Sequence, residues 1–262
     1  YLQTSPEYYM KRLLCCGFPS IYQISKCYRD DEVGRYHNPE FTMLEWYRLA
    51  FTMDDIIDDV DRLLQLVLRT PVCEKQTYTD LFKIFLDFNV QSDSDAKLIA
   101  ICQRLGYGNL VPPMSQKTLS GTERDGLLQL LFSEKIEQHI GLEKPIAVTH
   151  FPASQASLAK IDPSSSALAL RFEFYFKGIE LANGFEELSN PLEQKARFDL
   201  DNSIRKSKGL PPKPVDMKFL RALEEDGLPN CSGVALGIDR LLMLALEKQH
   251  IRDVLSFDFE SL

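Results

Sequence analysis

No apolar run in this chain approaches the roughly 20 residues needed to span a bilayer. The first residues, YLQTSPEYYMKRLL, hold neither a signal-type apolar stretch nor an initiator methionine. The sequence therefore reads as a soluble chain that starts mid-domain, with no membrane partner. Glycine and proline are sparse, at 13 and 14 of 262 positions, which excludes a collagen-like or low-complexity chain. Positive charge is in deficit: 30 Lys and Arg face 38 Asp and Glu, and the net charge of −8 leaves nucleic-acid contact to a local basic patch at most. The six cysteines (15, 16, 27, 73, 102 and 231) include no C-x-x-C pair, so neither a zinc ribbon nor a redox motif is present. Adjacent Cys15 and Cys16 rarely meet disulfide geometry, and the thiols read as small apolar residues in a reduced, cytoplasmic protein.

What remains is an ordinary globular composition, 44% hydrophobic and 26% charged. Tyr8 to Cys16 has helical spacing. In IYQISKCYR, Ile21, Gln23, Ser25 and Cys27 alternate with Tyr22, Ile24, Lys26 and Tyr28, the period of a strand. After a polar loop from Asp30 to Pro39, FTMLEWYRL is extended again, so the two runs predict an antiparallel hairpin around a charged loop. Ile56, Ile57, Val60, Leu63, Leu64, Val67 and Leu68 then predict a helix capped by Asp54. The stretch 71–141 keeps helical spacing and reads as a helical insertion within one catalytic domain covering 1–262. Strands return in PIAVTHF and in RFEFYFKGIELANGF. Leu192 to Lys208 reads as a surface helix ending at Gly209, and CSGVALGIDRLLMLALEK as a Gly-punctuated strand running into an apolar helix. The fold class predicted is α+β.

Four islands carry polar residues that their surroundings do not explain. Thr4-Ser5-Pro6-Glu7 opens a helix, where an acid also simply suits the helix dipole. The loop YRDDEVGRYHNPEF offers Arg29 as a bidentate grip for phosphate or carboxylate and Phe41 as a face for a flat ring, a pairing that suggests a nucleotide; a solvated loop is the plainer account. In GIELANGFEEL, Glu180 and Glu187 stand seven apart, on opposite faces of a regular strand unless Asn183-Gly184 bulges. Convergent carboxylates would need a cation such as Mg²⁺ between them, or salt-bridge partners. In SGVALGIDR, glycines admit a ligand close to the backbone and Arg240 heads a helix.

Taken together and in order, Arg35-Tyr36-His37-Asn38-Pro39-Glu40 with FTMLEWY, GIELANGFEEL and GVALGIDR resemble the catalytic core of class II lysyl-tRNA synthetases. GRYHNPEFTMLEWY, HFPASQASLA, GIELANGF and CSGVALG are most similar to the stand-alone elongation factor P β-lysine ligase family. The resemblance implies an antiparallel sheet flanked by helices, with ATP bound bent against it. It gives Arg29 the α-phosphate and the amino-acid carboxylate, and Asp30, Asp31 and Asn38 the adenine side. It stacks Phe41 on the adenine, takes His37 to the γ-phosphate, and puts Arg240 across the purine with Gly237 and Leu181 lining the nucleotide. Glu180 and Glu187 would hold Mg²⁺. Ser5, Pro6, Glu7, Glu45, Tyr47, Asn183, Glu187 and Ala235 would form the amino-acid pocket.

The implied reaction is ATP-dependent activation of (R)-β-lysine or lysine to an aminoacyl-adenylate. The aminoacyl group then passes to a lysine of elongation factor P, the protein partner; tRNA is not expected, and the full-length protein is expected to be a homodimer. Two alternatives are a lysyl-tRNA synthetase catalytic fragment and a non-catalytic paralogue acting as a binding module. Three departures from the synthetase pattern stand out: Arg29-Asp30-Asp31 where the family usually has Arg-Asn-Glu, Ala235 where tRNA-charging relatives have glycine, and no anticodon barrel or first motif ahead of the core.

Overall fold

The computed structural model describes residues 2–30, 32–111 and 118–259. In chain order its helices and strands are α1 (Glu7–Cys15), β1 (Ile21–Tyr28), β2 (Glu40–Leu49), α2 (Met53–Leu68), β3 (Glu74–Thr77), α3 (Tyr78–Leu86), α4 (Asp95–Arg104), α5 (Gly121–Lys135), β4 (Ile146–Pro152), β5 (Leu168–Phe176), β6 (Ile179–Glu186), α6 (Pro191–Ser207), α7 (Met217–Glu225), β7 (Cys231–Gly237) and α8 (Ile238–Ala245). The chain divides into two compact units. One joins Tyr1–Val72 to Leu181–Leu262, and the other is Cys73–Glu180. Helices and mostly antiparallel strands make it an α+β protein.

In the first unit, β1 pairs with β2, β2 with β7 and β7 with β6, all antiparallel. The predicted hairpin is there: Ile21 faces Tyr47 and Tyr28 faces Glu40 in unbroken register. Side chains alternate across a strand, so Phe41, Met43, Glu45 and Tyr47 share one face of β2. Glu45 stands opposite Ala235 of β7, and Ala235 opposite Asn183 of β6. Trp46, Val234 and Gly184 form the equivalent row on the other face. Over the Tyr47 side, α1 and α7 bury Met10, Leu14, Phe219 and Leu223 together with Tyr47 and Cys231.

Helix α2 forms as the spacing predicts, with Ile56, Ile57, Val60 and Leu64 fully buried. Its cap is Thr52 rather than Asp54. The Thr52 hydroxyl takes the Asp55 N–H while the Asp55 carboxylate takes the Thr52 N–H, a reciprocal box that Asp54, already inside the helix, has no geometry to make.

The second unit is not helical from end to end. Helices α3, α4 and α5 are preceded by the four-residue strand β3, which lies parallel to β4, itself antiparallel to β5. The run EKQT is too short and polar to show a period. RFEFYFKGIELANGF, read as one strand, is two: Lys177 and Gly178 both take left-handed angles, φ 52 and 69, and end β5 at Phe176. Tyr78, Phe82, Phe132, Phe151 and Tyr175 form an aromatic core under these helices. Gly141, at φ 65, lies so close to the Tyr175 carbonyl that a Cβ there would stand 2.6 Å from its oxygen.

Candidate functional site

The Glu45 face of the first unit collects buried charge. The chain enters α1 through Ser5 and Pro6, and the Ser5 hydroxyl both donates to Glu45 Oε2 (2.7 Å) and accepts the Glu7 N–H (3.0 Å). Tyr47 donates its phenol to Glu45 Oε1 at 2.6 Å. One turn into α1, Lys11 Nζ lies 2.6 Å from Glu7 Oε1 and 2.5 Å from Glu187 Oε2. The Lys11 and Glu187 side chains are each 1% exposed. Space for this arrangement comes from Gly233: a Cβ there would stand 2.3 Å from the Tyr47 ring and 2.6 Å from Glu187 Oε1.

The electrostatics follow from three carboxylates and one ammonium out of water. Burial, reinforced by the Glu7 charge, pushes the Glu45 carboxyl up to about 7 although Tyr47 and Ser5 donate to it. Burial raises Glu187 as well, with Lys11 opposing. For Lys11, burial alone would lower the value, but Glu187 and Glu7 outweigh it and hold the ammonium charged. The Tyr47 phenol is driven well above its ordinary range by burial and then by Glu45, so it stays a donor. With every acid ionised, this cluster carries two more negative than positive charges, an arrangement suited to a ligand with two ammonium groups.

At the other end of β2 the loop between the hairpin strands meets α8. The Arg29 guanidinium lies 5.1 Å from the centre of the Phe41 ring and is 44% exposed, with Glu32 at 3.9 Å. Arg240, third residue of α8, donates from Nε to the Tyr36 carbonyl (3.1 Å) and places Nη2 2.7 Å from His37 Nε2. Burial, then the Arg240 charge, lowers the His37 pKa, so the ring is neutral and its Nε2 accepts from the guanidinium. Gly237 caps α8, and buried Asp239 accepts the Thr42 N–H at 2.6 Å, fastening α8 to the start of β2. Asn38 is held at both ends of its amide: Nδ2 donates to the Glu40 carbonyl (2.6 Å) and Oδ1 accepts the Phe259 N–H (3.0 Å). Arg35 grips Gln249 through its carbonyl and its side chain, and the Ile251 N–H returns to the Arg35 carbonyl.

The structure thus brings together Ser5, Glu7, Glu45, Tyr47 and Glu187 as one group, with Ala235 and Asn183 in register beside Glu45. Arg29, His37, Phe41, Gly237 and Arg240 sit around the hairpin loop and the head of α8. Asp30 is exposed and Leu181 is buried. Asp31 lies outside the described residues. Glu180 is the last residue of the second unit.

Two expectations change. Asn183-Gly184 does not bulge, because Ala182 to Glu186 pair with Leu236 to Ser232 without a slip, which keeps Glu187 on the Asn183 and Phe185 side by simple alternation. Glu187 is also no open ligand, since Lys11 holds its carboxylate. Among the described residues, no group of three or more His, Cys, Asp or Glu side chains is arranged to hold a metal. Three participants were not read from the sequence: Lys11, Phe185, whose ring centre is 5.9 Å from Lys11 Nζ, and Gly233. For Lys11 the signal was its position, four residues after Glu7 on the stripe that also carries Met10, Leu14 and Cys15.

Comparison with known proteins gives the chain a family. The family profile of class II tRNA synthetases (D, K and N) matches residues 1–260. An elongation factor P–(R)-β-lysine ligase of Proteus mirabilis is 52% identical over 257 residues, which is 98% of this chain and 77% of that protein. A protein of the same name from Vibrio parahaemolyticus is 51% identical over 259 residues, 99% of this chain and 78% of the relative. A third, from Haemophilus ducreyi, is 48% identical over 260 residues, covering 99% and 76%.

Proposed function

Because this chain belongs to the class II tRNA synthetase family of the D, K and N type, we propose that it is an ATP-dependent ligase. It activates (R)-β-lysine, or lysine, as an aminoacyl-adenylate and transfers the aminoacyl group to a lysine side chain of elongation factor P. The observation that carries this reading is the buried cluster of Glu7, Glu45 and Glu187 around Lys11, which with every acid ionised leaves two carboxylate charges for the two ammonium groups of such a substrate. The relatives named for the same ligation support it. The reaction belongs in the cytoplasm, where translation factors are modified.

In the first step the substrate carboxylate attacks the α-phosphorus of ATP, and the bond to the bridging oxygen breaks as pyrophosphate leaves with the electron pair. No protein nucleophile or base is needed. Alignment and neutralisation of spreading charge suffice. Arg29 supplies both at the α-phosphate, Phe41 offers its ring face to the adenine once the guanidinium turns to the phosphate, and Arg240 with neutral His37 flanks the polyphosphate. In the second step the acceptor amine attacks the acyl carbon, AMP leaves, and the amine gives up a proton.

Magnesium suits this donor set only in company. By the resemblance Glu180 would supply a hard carboxylate oxygen, Glu187 is already engaged by Lys11, and phosphate oxygens and water would complete the set. When bound, the ion adds positive charge to the phosphates.

The test is amino-acid-dependent pyrophosphate exchange with lysine, (R)-β-lysine and a monoamino acid such as norleucine. Exchange confined to the diamino acids supports the reading. Exchange with none, or equally with norleucine, overturns it.

A further inference from the structure

The two steps just described give the cation at the centre of the acidic cluster no task beyond its place in the charge balance. Lys11 is buried to 1%, and among the described residues it is the only lysine in the interior. Its Nζ touches Glu7 on one side and Glu187 on the other, with the Tyr47 and Phe185 rings 6.0 and 5.9 Å away at their centres. The titratable groups facing it are Glu7, Tyr8 and Cys15 on its own helix, Glu45 and Tyr47 on β2, Glu187 beyond β6 and Cys231 on β7. A buried lysine loses rotamer freedom and hydration, so it persists only where its partners return that loss.

We propose that Lys11 is a positioning residue for the amino-acid substrate, resting on the reading of this cluster as the amine pocket. It ties Glu7 to Glu187, fixing the spacing of two carboxylates that come from elements far apart in sequence. It also cancels one of the three acidic charges. What remains matches a dication, so a substrate with two ammonium groups enters a neutralising site, while one with a single ammonium leaves a carboxylate unpaired. Lys11 itself stays in place when the substrate binds.

The experiment is pyrophosphate exchange by the full chain with lysine and (R)-β-lysine, in wild type, Lys11→Met and Lys11→Arg. With Lys11→Met, KM for the diamino acid is expected to rise about tenfold or more, since truncating one member of a buried hydrogen-bonded charge pair misplaces the others. KM for ATP and kcat per active site stay near wild type, and Lys11→Arg recovers most of the amino-acid KM. A fall in kcat with unchanged amino-acid KM, or an equal loss for ATP, would mean a merely structural lysine and overturn the proposal. Should the variants fail to fold, nitrogen-15 NMR of wild type with labelled lysine side chains decides. The Lys11 ammonium is expected to remain in slow exchange at saturating substrate, and its conversion to a solvent-exchanging signal overturns the proposal. Wild type that exchanges with no diamino acid defeats the functional reading instead, a result distinct from either.

Discussion

Glu45 and Ala235 stand directly opposite each other across the β2–β7 ladder, and Asn183 faces Ala235 from the far side. The Ala235 methyl therefore lies in the middle of a three-residue row that begins with the most hydrogen-bonded acid of the pocket. Removing that methyl enlarges the floor beside Glu45 without touching any charge. Ala235→Gly should shift kcat/KM toward lysine relative to (R)-β-lysine by tenfold to a couple of hundredfold, the usual worth of a methyl-sized clash of about 1–3 kcal/mol. An unchanged ratio of kcat/KM for the two amino acids in the two proteins would move selectivity elsewhere, to Ser5 or Asn183.

Arg29 is half-exposed over Phe41 and contributes little to the core. Arg29→Ala should leave the circular dichroism spectrum intact and remove adenylate formation, a loss of roughly 3–4 kcal/mol in the transition state by analogy with an oxyanion donor. Pyrophosphate exchange near the wild-type rate would refute its role.

The raised Glu45 carboxyl gives the amino-acid affinity a pH dependence with a definite sign. Below about 7 the empty site keeps a proton on Glu45. An incoming ammonium group pairs with the ionised form, so binding in that range must expel the proton and becomes weaker as pH falls. KM for the diamino acid should rise between pH 8 and pH 6, and calorimetry at pH 7 in buffers of different ionisation enthalpy should register proton release. For the empty fold the sign is opposite: the stability due to protonated Glu45 is full below the ordinary glutamate range and is lost as pH rises through about 7.

Gly233 faces Tyr47 across the ladder in ordinary extended backbone, so its requirement is space alone. Gly233→Ala should lower the melting temperature, with overpacking worth about 1–3 kcal/mol or more, and should raise KM for the amino acid more than KM for ATP by displacing Tyr47 and Glu187 together. Kinetics and melting indistinguishable from wild type would show that the ring moves aside freely.

Lys11 engages Glu187, so neutralising Glu187 and neutralising Glu180 are expected to act on different ligands. Glu180→Gln should raise the Mg²⁺ concentration needed for half-maximal exchange, since an amide binds a hard cation less well than a carboxylate. Glu187→Gln should raise the amino-acid KM and leave the Mg²⁺ titration where it was. The reverse pattern would return Glu187 to the metal.

The hairpin that carries the candidate pocket was legible in the sequence because a strand announces itself by alternation, while the pocket residues themselves came from the family resemblance. Ile21 to Tyr28 keeps period two and Phe41 to Leu49 reads as extended, so the hairpin follows, and strand geometry then puts Glu45 and Tyr47 on one face. Lys11 was harder, because a lysine in a helix that also carries Glu7 and Arg12 looks like part of a solvated surface until Glu187, 176 positions later, is seen to cover it. The cap of α2 was misplaced because Asp54 and Thr52 are both good caps in sequence, and only the reciprocal bond with Asp55 decides between them. Strand β3 stayed hidden because four polar residues carry no period, and the break between β5 and β6 because Lys177 shows nothing of its left-handed backbone.

The hydrogen bonds from Asn38 to Phe259 and from Arg35 to Gln249 turn the stretch 249–259 into a splint for the hairpin loop. The loop presents Arg29 and His37, yet its stiffness is borrowed from a part of the chain more than two hundred positions away. Changes in that distant stretch, a bulky fusion or a proteolytic nick included, will therefore be felt first as weaker grip on ATP, before any loss of amino-acid recognition or of the fold.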